Sequence, residues 1–149
     1  MTQMQAPPRQ SLAQTPFTAH DRNTLLANVA PWVRDLGLLV EHVGERTAVL
    51  RLPWSDRLVR EGGALCGQAL MAAADTAAVV AVSAARGGYG PMTPVQQSTN
   101  FQRPVIAADV LVRAEVSRLS RNLVFLSVIM TVAGTPEPVA HATLVYALG

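Results

Sequence analysis

The amino-acid sequence predicts an α+β fold, in which an antiparallel sheet of five to six strands wraps around one long central helix. Several segments alternate apolar and polar residues with the period of two that is typical of half-buried strands. One Ala-rich segment, Gln68–Arg86, contains neither Gly nor Pro and is the strongest helix candidate. Two strands precede this helix and about four follow it. Because the helix is apolar nearly all round, the sheet has to cover it.

The N-terminal segment differs in composition from the rest of the chain. Residues 1–19 combine Gln, Pro, Ser and Thr without periodicity, which predicts a disordered tail. Residues 20–149 are then expected to form a single domain. Its first element is a short helix that begins at Asp21, a residue type that caps helices, and ends before Pro31.

A strand hairpin is predicted next, formed by Leu36–Val43 and Thr47–Pro53 with Gly44 between them. In the second strand the side chains at positions 48, 50 and 52 are apolar and alternate with those at 47, 49 and 51, which indicates one buried face. A polar, glycine-rich loop over residues 54–67 leads from the hairpin into the helix.

The predicted helix is also long enough to be weighed as a membrane span. Its residues, about 19 in number, cover roughly 28 Å at 1.5 Å each. Asp75 lies near the middle, and a carboxylate is costly in the centre of a bilayer, so a buried helix is favoured and no membrane partner is expected.

The strands after the helix are interpreted as a meander of Met92–Arg103, Asp109–Leu119, Leu123–Ala133 and Val139–Leu148.

Composition excludes several classes of protein. Apolar residues make up 50% of the chain and charged residues 15%, which excludes disorder for most of the length. The 12 basic residues are all Arg and are scattered, and the net charge is only +2, so no nucleic-acid partner is expected. A surface with so little charge predicts that part of it is hidden in a homo-oligomer.

The strand Leu123–Ala133 supports an oligomer, because it is apolar on both faces. Leu123, Phe125 and Ile129 alternate with other apolar residues. Only one of the two faces can meet the helix, and the other needs a cover. We therefore expect a dimer at least, and a tetramer if two dimers pair through their outer sheet faces.

Cysteine and histidine are too sparse for a disulfide framework or a zinc site. Cys66 is the only cysteine, and His20, His42 and His141 lack the spacing of metal ligands. No metal and no cofactor are expected.

The N-terminus has neither the apolar region of a signal peptide nor an Arg-rich amphipathic pattern, so the protein is expected to be cytoplasmic.

The chemical anomaly in the sequence is Asp75, an ionisable residue in the middle of an apolar helix. Such a carboxylate is either paired with an Arg, protonated, or placed where solvent and substrate reach it. Gln68 lies seven residues earlier, two helical turns away on the same face, and the free amides after Gly67 sit at that end of the helix. Amides at a helix start can hold a developing oxyanion.

The segment GGALCGQALMAAADTA, together with the later Phe101-Gln102-Arg103-Pro104, resembles the hotdog-fold acyl-CoA thioesterases, in particular the PaaI-like group. Gly63 matches the first Gly of the family pattern, and Asp75 matches the Asp of its helix motif at the right spacing. The resemblance covers about residues 36–148.

Three positions depart from this family pattern. Cys66 stands where the family has His, Gln68 stands where it has a second Gly, and Arg60 stands where it often has Asn. A variant branch with an Arg-x-Gly-Gly start and a small residue before a single Gly is similar to this chain at the same positions.

The resemblance implies hydrolysis of a thioester at a site shared between two subunits. Asp75 would be the general base or the nucleophile, and the amides of Gly67 and Gln68 would bind the carbonyl oxygen. The alternative is a non-hydrolytic acyl-CoA-binding protein, because the departures at Cys66 and Gln68 could remove turnover. A hotdog hydratase comes third, since the paired Asp and His of that branch are not found around the helix.

The remaining candidate residues would bind an acyl-CoA or aryl-CoA thioester whose acyl group, short, medium or aryl, the sequence does not specify. Cys66 has no His placed to activate it, so a small packing role is favoured over a nucleophile. A polar side chain that orients the water would come from Thr93, Gln96 or Gln97. The other predicted substrate-binding residues are Gly63 and Met71 near the acyl group and Arg103, Arg118 and Arg121 at strand ends, where they could contact phosphates.

Overall fold

The structure is a computed structural model that describes residues 18–149. Residues 1–17, which make up most of the predicted tail, lie outside the described residues. The elements, numbered in chain order, are the helices α1 (Ala19–Asn28), α2 (Pro31–Arg34) and α3 (Gly67–Arg86), a short 3-10 helix (Asp56–Leu58), and the strands β1 (Leu39–Val43), β2 (Thr47–Leu52), β3 (Met92–Phe101), β4 (Val110–Leu119), β5 (Leu123–Val132) and β6 (Pro138–Leu148).

The six strands form one antiparallel sheet in the order β1-β2-β4-β5-β6-β3. This confirms the α+β class and the upper value of the predicted strand number. The predicted four-strand meander is wrong in one respect, because β3 does not pair with β4. It lies at the far edge and pairs with β6. The alternation within a strand is the same whichever neighbour it has, so the sequence pattern could not identify this pairing.

Helix α3 packs across one face of the sheet, mainly against β2 and β4. Its Ala residues at 73, 74, 77, 78 and 81 are fully buried and let the helix approach the strands closely. By length and composition α3 could cross a membrane, yet 72% of its most apolar window is buried inside the fold. The helix ends at Gly87, whose φ of 80° suits the left-handed cap conformation.

The strand faces follow the predicted alternation. On β4 the side chains of Val110, Val112, Ala114 and Val116 are buried against α3, and on β5 every second residue from Val124 to Met130 is buried in the same way. The opposite side of the sheet, here called the outer face, carries the exposed side chains of these two strands, among them Arg113, Glu115, Phe125 and Ile129.

The N-terminal helix begins two residues earlier than predicted. Thr18, and not Asp21, is its N-cap, and the two residues form a capping box. The Asp21 amide donates to Thr18 Oγ1 (3.1 Å) and the Thr18 amide donates to Asp21 Oδ2 (2.8 Å), which lowers the pKa of the Asp21 carboxyl. The one-turn helix α2 was not predicted. The strand predicted from Leu36 begins only at Leu39, because Gly37 turns the chain with a φ of 69°.

A polar cluster ties together β1, the end of β2 and the start of β4. Asp109, just before β4, accepts a hydrogen bond from the Trp54 amide (2.7 Å) and one from Arg51 Nη1 (3.1 Å). Arg51 also forms an ion pair with Glu41 on β1. The bonds from Trp54 and Arg51 lower the pKa of the Asp109 carboxyl.

Candidate active site

The start of α3 is held in place by the loop before it and by the chain after β3. The Cys66 amide donates to the Leu58 carbonyl (2.8 Å), and the Leu65 amide donates to the Val105 carbonyl (2.9 Å). Cys66 is the N-cap residue, and its side chain makes no capping hydrogen bond. Within residues 18–149 the amides of Gly67 and Gln68 have no hydrogen-bond partner, so they remain available to a ligand.

Gly67 brings the two family-like motifs into contact. A Cβ atom at this position would lie 3.2 Å from Cζ of Phe101, so the aromatic ring packs directly over the first residue of α3. Gly63, in the preceding loop, has a φ of 85°, a conformation that L side chains rarely adopt. The backbone at position 63 therefore favours Gly, and a side chain at position 67 would require the Phe101 ring to shift.

Asp75 lies on the exposed side of α3 and is half-buried. Its carboxylate has no hydrogen bond or ion pair with any residue of the described part of the chain, so a structural pairing with Arg is not present there. Burial raises the pKa of this carboxyl. The main chain at this position is fixed by Tyr146, whose hydroxyl donates to the Asp75 carbonyl (3.3 Å).

An open groove of ≈ 490 Å³, here called the Asp75 groove, lies along this side of α3. It separates α3 from the segment that joins α1 to α2 and from β3. Its lining residues are Val29, Ala30, Trp32, Val33, Gln68, Met71, Ala72, Asp75, Thr76 and Gln97.

Of the three polar candidates on β3, the structure brings only Gln97 next to Asp75. Gln97 Nε2 donates to the Met71 carbonyl (3.2 Å), one helical turn from Asp75. Gln97 pairs with Leu144, which is buried against α3, whereas Thr93 and Gln96 pair with Ala147 and Val145 on the outer face. Thr93 and Gln96 therefore point away from the groove.

Two further cavities adjoin the start of α3. One, here called the Trp32 cavity, has a volume of ≈ 340 Å³ and is lined by Trp32, Asp35, Leu36, Ser55, Arg57, Leu58, Cys66, Gln68 and Ala69. The other, here called the Arg103 cavity, has a volume of ≈ 420 Å³ and is lined by Arg60, Leu65, Gly67, Leu70, Phe101, Gln102, Arg103, Pro104 and Val105.

The sequence profile of the Thioesterase superfamily matches residues 62–138, which contain the start of α3, Asp75 and Phe101. The chain belongs to this superfamily. The fold is similar to that of a mutant of the phenylacetic acid degradation protein PaaI from Thermus thermophilus, with 27% identity, a TM-score of 0.72, and coverage of 80% of this chain and 100% of that chain. No curated protein matches the chain.

Two other solved structures show the same fold at lower identity. The PaaI protein of E. coli is 17% identical, with a TM-score of 0.77 and coverage of 87% of this chain and 91% of that chain. A thioesterase from Haemophilus influenzae is 22% identical, with a TM-score of 0.78 and coverage of 91% and 93%. The hotdog fold that the motifs implied is thus confirmed.

The arginines predicted to contact phosphates fall at opposite ends of this thioesterase-superfamily fold. Arg103 lines the cavity beside Gly67 and pairs with Glu137. Arg121 lies near the other end of α3, where it and Arg86 line a separate cavity of ≈ 530 Å³. Arg118 is exposed near the end of β4. Because α3 is about 30 Å long, Arg103 and Arg121 do not meet at one site.

Cys66 and Met71 both lie beside cavities at this site. Cys66 is half-buried, packs against the core and lines the Trp32 cavity, which has no His among its described lining residues. Met71 is exposed in the Asp75 groove. Across residues 18–149 there is no group of three or more His, Cys, Asp or Glu side chains that could hold a metal ion.

Trp32 and Arg60 are among the lining residues that sequence reasoning missed. Trp32 belongs to the unpredicted helix α2, and Arg60 was noticed only as a departure from a motif. Trp32 is 58% exposed, and α2 has no buried residue, so no apolar periodicity marked this segment. The signal that could have identified it is an aromatic residue directly after the helix-starting Pro31.

Proposed function

We propose that the protein is a cytoplasmic homo-oligomer that hydrolyses an acyl-CoA or aryl-CoA thioester to the free acid and coenzyme A, without a metal ion or a further cofactor. The observation that carries the proposal is the unpaired carboxylate of Asp75, which shares a groove with Gln68 at the start of α3. A base and free amides on one helix face supply what acyl transfer to water needs.

In the proposed reaction the thioester carbonyl oxygen accepts hydrogen bonds from the Gly67 and Gln68 amides. Asp75 either takes a proton from a water molecule that attacks the carbonyl carbon, or attacks that carbon itself and forms an anhydride that water then hydrolyses. The carbon–sulfur bond breaks, and coenzyme A leaves as a thiolate. The raised pKa of Asp75 makes it a stronger base than an exposed Asp.

Thioester hydrolysis needs fewer catalytic groups than amide hydrolysis. A thioester carbonyl is already electrophilic, and a thiolate, whose conjugate acid has a pKa of about 8.5, leaves without prior protonation. A carboxylate and helix-start amides are then sufficient. An amide substrate would need a stronger nucleophile and an acid for the leaving group.

The position of β3 supports a second subunit at the site. β3 is an edge strand, and its Gln97 lines the Asp75 groove. A free strand edge is a template for pairing with another chain, and β3 is regular from Gln96 to Phe101, after the bulge that follows Pro94. A second copy paired along β3 would cover the groove, in agreement with the shared site that the resemblance implies.

The test is a thiol-release assay over a panel of acyl-CoA and aryl-CoA thioesters, with Asp75→Asn as the comparison. Release by the wild-type protein and its loss in the variant would support the proposal. Saturable binding without thiol release would favour the non-hydrolytic binder, which the Cys and Gln at positions 66 and 68 keep as the second candidate. A hydratase is not favoured, because the described lining of the groove includes no His.

A further inference from the structure

Helix α3 is held to the sheet in two different ways. It packs mainly against β2 and β4, and its buried alanines allow a close approach to the strands. Against β6 it packs less closely, and there the space is spanned by Tyr146, the largest fully buried side chain within residues 18–149. The middle of α3 therefore rests on a tyrosine from β6.

The hydroxyl of Tyr146 reaches the main chain of Asp75. It donates to the Asp75 carbonyl oxygen at 3.3 Å, which is long for a hydroxyl donor. This carbonyl lies inside α3, where the amide four residues later is its regular partner, so the helix does not need the extra bond. A phenylalanine would fill the same space without burying a polar group. The hydroxyl is therefore explained neither by packing nor by the needs of the helix backbone.

A second strand holds the same turn of the helix. Gln97 on β3 donates from Nε2 to the Met71 carbonyl (3.2 Å), and this carbonyl is the regular helical acceptor of the Asp75 amide. Gln97 Nε2 also donates to Thr99 Oγ1 (3.3 Å), which fixes the orientation of its amide group. The carbonyls of Met71 and Asp75 are one helical turn apart. Side chains from β3 and β6 therefore hold the two ends of the turn that carries the carboxylate.

The carboxylate itself is oriented by no side chain of the described part of the chain, since it has neither a hydrogen bond nor an ion pair there. Its position is therefore set by the main chain of Asp75. The described lining of the Asp75 groove contains no second ionisable side chain, and burial alone raises the pKa of the Asp75 carboxyl. A displacement of about 1 Å at a reacting group can cost about 100-fold in rate. A fixed main chain is thus important for this base.

We propose that Tyr146 is a positioning residue for Asp75. Its ring and hydroxyl, together with Gln97 from β3, hold the turn of α3 at the distance from the sheet that places the carboxylate at the substrate carbonyl. This inference rests on the proposed thioesterase function. Tyr146 is 1% exposed and lies between β6 and α3, so it does not touch the substrate and acts through the main chain of Asp75.

An NMR titration of the Asp75 carboxyl carbon tests the positioning without requiring turnover. Tyr146→Phe keeps the ring and removes the hydroxyl. Ser83→Ala is the matched control, because Ser83 is also fully buried and its hydroxyl donates to an α3 carbonyl, that of Val79 (2.7 Å). A turn released from β6 exposes the carboxyl to more water, so the pKa of Asp75 should fall in Tyr146→Phe and not in Ser83→Ala. An unchanged pKa in Tyr146→Phe, or an equal fall in both variants, would overturn the assignment.

Kinetics test whether this position matters for turnover. Tyr146→Phe should lower kcat for thiol release about tenfold and leave KM within about twofold, because the groups that bind the thioester are unchanged. In an Asp75→Asn background the same substitution should have no further effect, since no base is left to position. Circular dichroism establishes that the variants are folded.

Two kinetic results would contradict the proposal. One is an unchanged kcat in Tyr146→Phe. The other is an equal loss in the wild-type and Asp75→Asn backgrounds, which would show that Tyr146 supports the fold in general. If the wild-type protein releases thiol from no ester of the panel, the proposed function fails, while the titration still decides whether Tyr146 positions the carboxyl.

Discussion

At the scale of single residues, Asp75 is the clearest test of the catalytic proposal. Asp75→Asn removes the group that would transfer a proton or attack the carbonyl, and it leaves the size of the side chain nearly unchanged. We expect kcat for thiol release to fall about 100-fold or more, with fold and oligomeric state retained. Activity within about threefold of the wild-type value would show that Asp75 is structural.

Asp75 should also lower the stability of the free protein at neutral pH. Burial raises the pKa of Asp75 in the folded state, so folding favours the protonated carboxyl. This contribution to stability is complete below the unfolded-state pKa of about 3.9. It is lost as pH rises through the folded-state pKa, where the buried carboxyl must ionise. Urea unfolding of Asp75→Asn should therefore give a higher free energy of unfolding than wild type at pH 7 and no difference near pH 3. Equal stability at both pH values would contradict the buried, unpaired carboxylate.

The sequence identified the residues with a catalytic role in the proposal, Asp75 and Gln68. It missed Trp32, whose position depends on how the chain packs. Asp75 and Gln68 stood out because a carboxylate and a helix start are chemically unusual in an apolar segment, and the structure places both on one groove. Trp32 reaches the site through α2 and the turn at Gly37, which carry no periodic pattern. The sequence left Gln97 and Thr93 as alternative candidates, and only the strand register shows that Gln97 lies on the side of the groove.

At the scale of secondary structure, the Arg51–Asp109 cluster holds β1, β2 and the start of β4 together. Asp109→Asn weakens its bond to Arg51. The pKa of Asp109 is lowered in the folded state, so its contribution is present above about pH 3.9 and is lost as pH falls through the folded-state value. We expect the variant to be less stable than wild type at pH 7, with the difference shrinking on acidification. This pH dependence is opposite in sign to that of Asp75→Asn. Urea unfolding of both variants at pH 7 and at acidic pH measures the two trends, and each variant is the control for the other.

The boundaries of α3 were predicted well, because its regular pattern ends at a Gly, whereas α1 ends at Asn28 and not directly before Pro31. Helix α3 starts one residue before the predicted Gln68 and ends at the predicted Arg86, followed by Gly87. The pairing of β3 with β6 was not predictable, because it depends on contacts between distant parts of the chain, from Phe101 with Ala140 to Met92 with Leu148. Periodicity describes one element at a time and carries nothing about which element lies beside it.

At the scale of the whole molecule, the outer face of the sheet is the surface expected to pair two dimers. Phe125 and Ile129 are 37% and 43% exposed there, and next to Ile129 lies Arg113, which makes no ion pair within residues 18–149. Ile129→Asp should lower the oligomeric state in sedimentation experiments at micromolar concentration. Tyr89→Asp, a similar change in the loop after α3, is the control and should leave the state unaltered.

Two outcomes of the sedimentation experiment would contradict the assembly. A stable wild-type monomer of 15.8 kDa would exclude both the outer-face contact and a site shared between subunits. An Ile129→Asp protein with the same mass as wild type would exclude the outer-face contact between dimers and leave only the dimer paired along β3.

The edge position of β3 also constrains how the chain folds as it is synthesised. Its partner is β6, so Phe101 cannot meet Ala140, nor Met92 meet Leu148, until the ribosome has added the intervening residues. During that interval β3 and the apolar α3 before it lack part of their final cover. Such long-range pairing slows folding and leaves apolar segments and strand edges exposed, where they can aggregate. A translational pause placed between β3 and β6 should therefore increase aggregation of the nascent chain more than the same pause placed before α3.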